Sequence, residues 1–306
     1  MKVRVLGSAA GGGFPQWNCG CPNCAAARAG SPSLRARTQE SVAVSADGDS
    51  WCLFNASPEI RAQIESFAPL HPRAARHSPI AGVLLTNGDL DHCLGLLSLR
   101  ESYPVRVYAT AAVRDGFMQG NGLARTLQRF DGQLSWVELP LGLPTPFLRA
   151  DGSPSGLTLE AVAAPGKLPI HLEGVRAASP EDNVGVLVRE ASNPRALAYF
   201  PGVGAYQPEV MNALERAAAC FFDGTFWSSD ELIRLELGQK RAEDMSHWPV
   251  GGAQGSLARL RTLQGPRRIL IHVNNTNPML REDSPEHAEL RAAGLELAHD
   301  GLELTL

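Results

Sequence analysis

No apolar run in this 306-residue chain approaches the roughly 20 residues of a membrane-spanning helix, so stable insertion into a bilayer is not expected. Basic clusters are missing too. Lys and Arg total 28 against 32 Asp and Glu, the net charge is −4, and the arginines are scattered. Nucleic acid and anionic membrane partners are therefore not expected. Met1–Leu6 reads as a strand that begins at once, without the apolar core or cleavage site of a secretory leader, and a cytoplasmic location is the expectation. The glycine-rich loop Gly7–Gly13 has neither the Gly-Lys-Ser/Thr of a phosphate-binding loop nor G-x-G-x-x-G, so its glycines are read as letting the backbone turn past another element. No internal repeat and no low-complexity tract is present.

What is there is ordinary for a globular protein with a sizeable core: 44% hydrophobic and 20% charged residues. The length allows one large or two average domains. The Pro- and Gly-rich stretch 140–154 reads as a loop and not as a convincing linker, so a single domain over 1–306 is expected. Strands are predicted at 2–6, 41–45, 51–55, 80–85, 105–109, 134–139, 157–163, 184–189, 197–200, 219–222 and 268–273, with two more closing the chain. Helices are predicted at 23–29, 57–66, 93–102, 207–217, 251–263 and 284–293, with a mostly helical region over 110–130. Hairpins in each half with helices between them predict two mixed sheets face to face with helices outside.

The stretch with most chemistry is Thr86-Asn87-Gly88-Asp89-Leu90-Asp91-His92. It follows a buried strand and leads into a helix, where α/β sheets place ligand-binding groups. Two carboxylates and an imidazole so close together suit a divalent cation, although a solvated turn capping a helix would carry similar residues. Three later positions put polar groups beyond buried strands or before a helix: Asp223, His247 and His272. The other histidines, at 71, 77, 171, 287 and 299, read as solvated. Of six cysteines, Cys52, Cys93 and Cys220 read as small buried apolar residues. Cys19, Cys21 and Cys24 form C-x-C-x-x-C, which in a reducing compartment points to structural zinc lacking one ligand.

The order of these motifs resembles the metallo-β-lactamase superfamily over essentially the whole chain. Within it, the stretches 7–19, 85–92 and 272–278 are similar to the B-type family of pyrroloquinoline quinone (PQQ) biosynthesis. The resemblance implies an αββα sandwich with the active site at one sheet edge. It also exposes departures. Hydrolases of the superfamily carry H-x-H-x-D-H where this chain has Asn87, Asp89, Asp91 and His92. No histidine stands near Gly166-Lys167, and Val203 takes the place of the bridging Asp. Asp91, His92 and His272 remain as one metal site.

Two imidazoles and a carboxylate with open positions suit non-haem Fe(II) better than two-metal hydrolysis. The expected activity is thus an oxygen-dependent hydroxylation of the tyrosine ring in a Glu–Tyr-derived PQQ precursor. Asp89 is expected as an extra ligand or hydrogen-bond acceptor, and His247 and Asp223 as proton-transfer or orienting groups. Two alternatives stand beside it: a non-catalytic carrier of PQQ or its precursor toward the periplasm, with Lys167 as a candidate contact, and a zinc hydrolase. Asn275 is expected as the fourth ligand of the structural zinc, with water as its competitor. The expected partner is a small or peptide-derived precursor, and a homodimer is compatible with the sequence.

Overall fold

The computed structural model describes residues 1–306 apart from the side chain of Pro194. Its strands are β1 (Lys2–Gly7), β2 (Ser41–Ser45), β3 (Trp51–Phe54), β4 (Ile80–Leu84), β5 (Val105–Ala109), β6 (Leu134–Glu138), β7 (Pro144–Leu148), β8 (Pro154–Ala163), β9 (Val184–Glu190), β10 (Asn193–Phe200), β11 (Ala219–Asp223), β12 (Arg267–Ile271), β13 (Glu296–Leu297) and β14 (Glu303–Thr305). They form two seven-stranded sheets, ordered β14-β1-β2-β3-β4-β5-β6 and β13-β12-β11-β10-β9-β8-β7. Each sheet is mixed. The first is antiparallel from β14 to β3 and parallel from β3 to β6. The second is antiparallel from β7 to β10 and parallel from β10 to β13.

The period-2 alternation of a strand explains the layering. Val3, Val5, Val42, Val44, Cys52 and Phe54 of the first sheet meet Val186, Val188, Tyr199, Phe221, Ile269 and Ile271 of the second in one buried cluster. The intervening residues face outward under helices: Ala43, Leu53 and Val83 pack with Ile60, Val113 and Phe117, while Cys220, Phe222 and Leu270 pack with Val210, Leu257 and Leu290. Both faces of the central strands are thus apolar, which is why those strands read as continuous hydrophobic runs. This is the metallo-β-lactamase fold, an αββα sandwich.

The two sheets are tied together at one rim. Ala10 N donates to Val273 O (2.9 Å), Val273 N to Ser8 O (3.0 Å), and Val184 N to Thr86 O (2.9 Å). The carboxyl ends of β4, β11 and β12 arrive at this rim, so residues distant in sequence meet there.

Three expectations need correction. The stretch 140–154 is not all loop, since β7 lies within it at the edge of its sheet. Pro144 and Pro146 hid it, because a proline cannot donate to a ladder and is tolerated at an edge. The helix expected at 93–102 is a single turn at Leu90–Cys93 followed by a 3-10 segment, Leu94–Leu99. The region 110–130 divides into a helix, Ala111–Gly120, and a 3-10 segment, Gly122–Leu127.

Candidate metal centre

At the rim lies a cavity of about 440 Å³ whose lining includes Asp89, Asp91, His92, Lys167, Asn183, His247 and His272. Asp91, His92 and His272 bring one potential donor atom each within 4.8 Å of one another, and Asp223, His247 and His272 do the same. The Asp91 carboxylate is central: its Oδ2 lies 3.1 Å from His272 Nε2 and 3.7 Å from His92 Nε2. The rings of His92 and His272 meet edge to face at 5.1 Å, and those of His247 and His272 stack at 5.3 Å. The sequence-predicted groups therefore converge, with one exception. Asp89 lines the same cavity but belongs to neither converging group.

Each imidazole is held from behind through Nδ1. Thr86, just past β4, donates from both N (3.0 Å) and Oγ1 (3.1 Å) to Asn55 Oδ1. With its proton committed there, Oγ1 can only accept at its 3.0 Å contact with His92 Nδ1. That assigns the proton to Nδ1 of His92 and frees Nε2 as a lone-pair donor. Thr225 repeats the device. Its N (2.9 Å) and Oγ1 (2.6 Å) both donate to Asp223 Oδ1, so Oγ1 accepts from His272 Nδ1 at 2.8 Å. Asp223 Oδ2 accepts from Val203 N (2.8 Å) and from His247 Nδ1 (2.7 Å). All three rings thus turn Nε2 outward, an arrangement typical of metal-binding histidines.

Burial drives the electrostatics. It pushes His92 down to about 4, reinforced by the neighbouring imidazoles against the pull of Asp91. His272 suffers the same burial, but its hydrogen bond to Asp91 and the negative charges of Asp91, Asp223 and Glu40 outweigh it, and it rises to about 9. Asp91 is itself held well below the carboxylate range: burial would raise it, and His92 and His272 more than compensate. Asp223 is lowered in the same way, chiefly by His247 acting against burial.

Three of the five non-glycine residues with left-handed φ lie here: Asn55 at 58°, Ser246 at 62° and His272 at 59°. Such backbone costs of order 1–3 kcal/mol per residue and concentrates at functional sites. Asn55 and Thr86 were not singled out from sequence as parts of the site, and neither were Thr225 and Glu40. Glu40 is fully buried, donates nothing to a fold pattern, and accepts from Asn55 Nδ2 at 2.8 Å on Oε2, while its Oε1 has no partner. Burial pushes its carboxyl up to about 8. A charged residue directly before an apolar strand was the signal that could have found it. His171, read as solvated, lines the cavity.

The cysteine loop is equally organised. Cys19, Cys21 and Cys24 converge, and Asn275 Nδ2 lies 3.1, 3.6 and 3.4 Å from their three sulfurs. The amide therefore occupies the fourth corner, and exchanging its N and O by a half-turn would present the oxygen. Cys21 N donates to Cys19 Sγ (3.4 Å) and Cys24 N to Cys21 Sγ (3.5 Å). Burial raises Cys21 to about 11, whereas the hydrogen bonds around Cys19 outweigh its burial and lower it. Three thiols held this close, with backbone N–H groups aimed at sulfur, fit a structural zinc.

The description "Beta-lactamase superfamily domain" matches residues 50–273. Coenzyme PQQ synthesis protein B from Ruegeria pomeroyi is 45% identical over 311 residues, covering all of both chains. Its counterpart from Methylobacillus flagellatus is 42% identical over 308 residues, again covering both completely. The chain belongs to the coenzyme PQQ synthesis protein B family. A crystal structure of the Methylobacterium extorquens member of that family, described as Zn2+-bound, superposes with a TM-score of 0.92 at 41% identity over the full length of both chains. A diphosphatase of the PhnP family, 19% identical with a TM-score of 0.67, shares the fold. A role in PQQ synthesis and a capacity to bind metal follow for the family. No helix among the described residues is long and apolar enough to cross a membrane.

Proposed function

We propose that this protein is a metal-dependent oxidative enzyme that hydroxylates the tyrosine ring of a Glu–Tyr-derived PQQ precursor. The observation that carries the reading is the donor set: two imidazole Nε2 atoms and one carboxylate oxygen converge on a cavity wide enough for a small substrate. Asp91, His92 and His272 would hold the ion, and this set leaves positions open, as non-haem Fe(II) oxygenases require. A bound iron would supply the redox chemistry with dioxygen that no side chain here can supply. The overall change is balanced by two electrons and two protons from an external reductant: one oxygen atom enters the ring and the other leaves as water.

The protein's own groups do the rest. Thr86 and Thr225 fix the tautomers of His92 and His272. Asp223, with four donors on its two oxygens, orients His247 and Thr225 and has no lone pair to spare for a proton. His247 has Nδ1 held by Asp223 and Nε2 free, so it is the group placed to move a proton at the cavity wall. We assign the cysteine loop with Asn275 to a structural zinc that pins residues 19–24 beside the strand end bearing His272.

A carrier role predicts stoichiometric binding without turnover. A two-cation hydrolase is disfavoured because the wall beside Asp89 holds the amides of Asn87 and Asn183, bonded to each other at 3.2 Å, and amides are poor partners for a second cation. The test is aerobic oxygen uptake by iron-loaded protein with the cross-linked Glu–Tyr precursor and a reductant. Uptake that disappears in Asp91→Ala and His92→Ala supports the reading. No uptake by the parent, or uptake unchanged in both variants, removes it.

A further inference from the structure

The cavity that receives the converging donors also holds two charged groups that belong to neither converging set. There Asp89 and Lys167 face the same space. The Asp89 carboxylate accepts no hydrogen bond and makes no ion pair among the described residues, although it is half-buried and feels the charges of Asp91, Lys167, His247 and His272. A half-buried carboxylate without a partner is costly unless something cationic meets it. Lys167 likewise forms no ion pair, yet the two do not collapse onto each other.

The backbone holds them in place. A Cβ on Gly166 would come within 2.4 Å of the Asn183 side chain, and one on Gly88 would lie 3.2 Å from Pro169. The segment 165–169 therefore lies directly against the turn that carries Asp89, and it presents Lys167 there. Asn183 is locked in turn by Asn87 (3.2 Å) and by the carbonyl of Gly202 (2.9 Å). The residue type is informative. Lys2, Lys167 and Lys240 are the only lysines among 28 cationic side chains, and a lysine presents a compact point charge where arginine would present a broad fork. Beside this pair, Leu90 and Ile170 stand 58% and 70% exposed at the cavity, an apolar flank against which an aromatic ring can rest.

We propose that Asp89 and Lys167 anchor an α-amino-acid end of the substrate, Asp89 taking the ammonium and Lys167 the carboxylate. The inference rests on the cavity being a substrate site, as in the proposed function, and adds which charged groups the substrate must carry. A carboxylate and an ammonium held on one short unit match two opposite charges that share a cavity without touching. Asp89 would then act in binding, and not as a further metal ligand.

The test uses zinc-loaded protein and three probes: L-tyrosine, tyramine, which lacks the carboxylate, and 3-(4-hydroxyphenyl)propionate, which lacks the ammonium. Affinities are read by calorimetry or ligand-detected NMR. In the parent, tyrosine binds tightest of the three. Lys167→Met weakens tyrosine and the propionate by about tenfold, the scale of one hydrogen bond to a charged group, and leaves tyramine unchanged; Lys167→Arg restores part of the loss. Asp89→Asn weakens tyrosine and tyramine and leaves the propionate unchanged. Circular dichroism and metal content confirm that the variants fold and load. Equal affinity of the parent for all three probes, or variants that weaken all three alike, overturns the proposal, as does loss of active-site metal in Asp89→Asn. Because no turnover is measured, a failure of oxygen uptake with this binding pattern intact counts against the hydroxylase reading alone.

Discussion

The two halves of the centre use the same part in different surroundings. In the first half, Thr86 beyond β4 holds His92 and is backed by the neutral amide of Asn55. In the second, Thr225 beyond β11 holds His272 and is backed by the carboxylate of Asp223. Both histidines are buried, yet His92 is pushed down to about 4 and His272 up to about 9. Burial alone lowers any histidine by disfavouring its charged form. The difference shows that placement relative to Asp91 and Asp223, and not depth, sets the protonation of each ligand. One half offers a metal ion a ready lone pair, and the other offers one that must first shed a proton.

The severest way to break the comparison is to remove a ligand. Asp91→Ala or His272→Ala is expected to abolish active-site metal and to spare the zinc proposed for the Cys loop, so total metal by mass spectrometry should fall to what that loop holds. Unchanged metal content would mean that the halves do not share an ion. Next come the supporting hydroxyls. Thr225→Val should weaken metal binding by about 10–100-fold, the usual scale for an outer partner of a ligand, and Thr86→Val by less, because the acceptor that loses one of its donors is an amide oxygen instead of a carboxylate. Chelator competition measures both, and equal losses would erase the asymmetry.

Proton release sharpens the comparison further. With the metal stripped, a His272 whose equilibrium lies near 9 contributes stability that is fully present below its unfolded value of about 6.5 and is lost as pH rises through 9. Rebinding metal at pH 7 should then expel about one proton from His272 and none from His92. The calorimetric enthalpy should vary with the ionisation enthalpy of the buffer, and an enthalpy independent of buffer would show that His272 is already neutral before metal binds. The smallest effect concerns Glu40. Its carboxyl is raised to about 8 in the fold, so its neutral form is favoured and the parent loses stability as pH climbs from about 4.5 to 8. Glu40→Gln should therefore gain on the parent across that window and level off above it. Parallel melting temperatures for the two proteins from pH 5 to 8 would show that Glu40 is ionised throughout.

Much of this was legible in the sequence. The fold was readable because the central strands are covered on both faces and so stand out as apolar runs. The turn 86–92 was readable because its polar groups are contiguous. His247 and His272 could be picked out because each follows or precedes a strongly patterned element. β7 was not legible, since its prolines disguise an edge strand. Asn55, Thr86 and Thr225 were not singled out as supports because a small polar residue at a strand end looks like an ordinary cap or turn. Lys167 was visible only as a charge in a loop, and His171 looked solvated on the same grounds.

By itself, then, the order of residues determined which strands form, which faces they bury, and which side chains have metal-binding chemistry to offer. The tertiary structure decided which of those side chains converge, which nitrogen each histidine turns outward, and that Asp89 and Lys167 line the same cavity. The physical reason is range. Strand and helix patterns are set by neighbours a few positions apart. A histidine's tautomer and charge are set by groups such as Asp91 and His272, 181 positions apart in the chain and 3.1 Å apart in space.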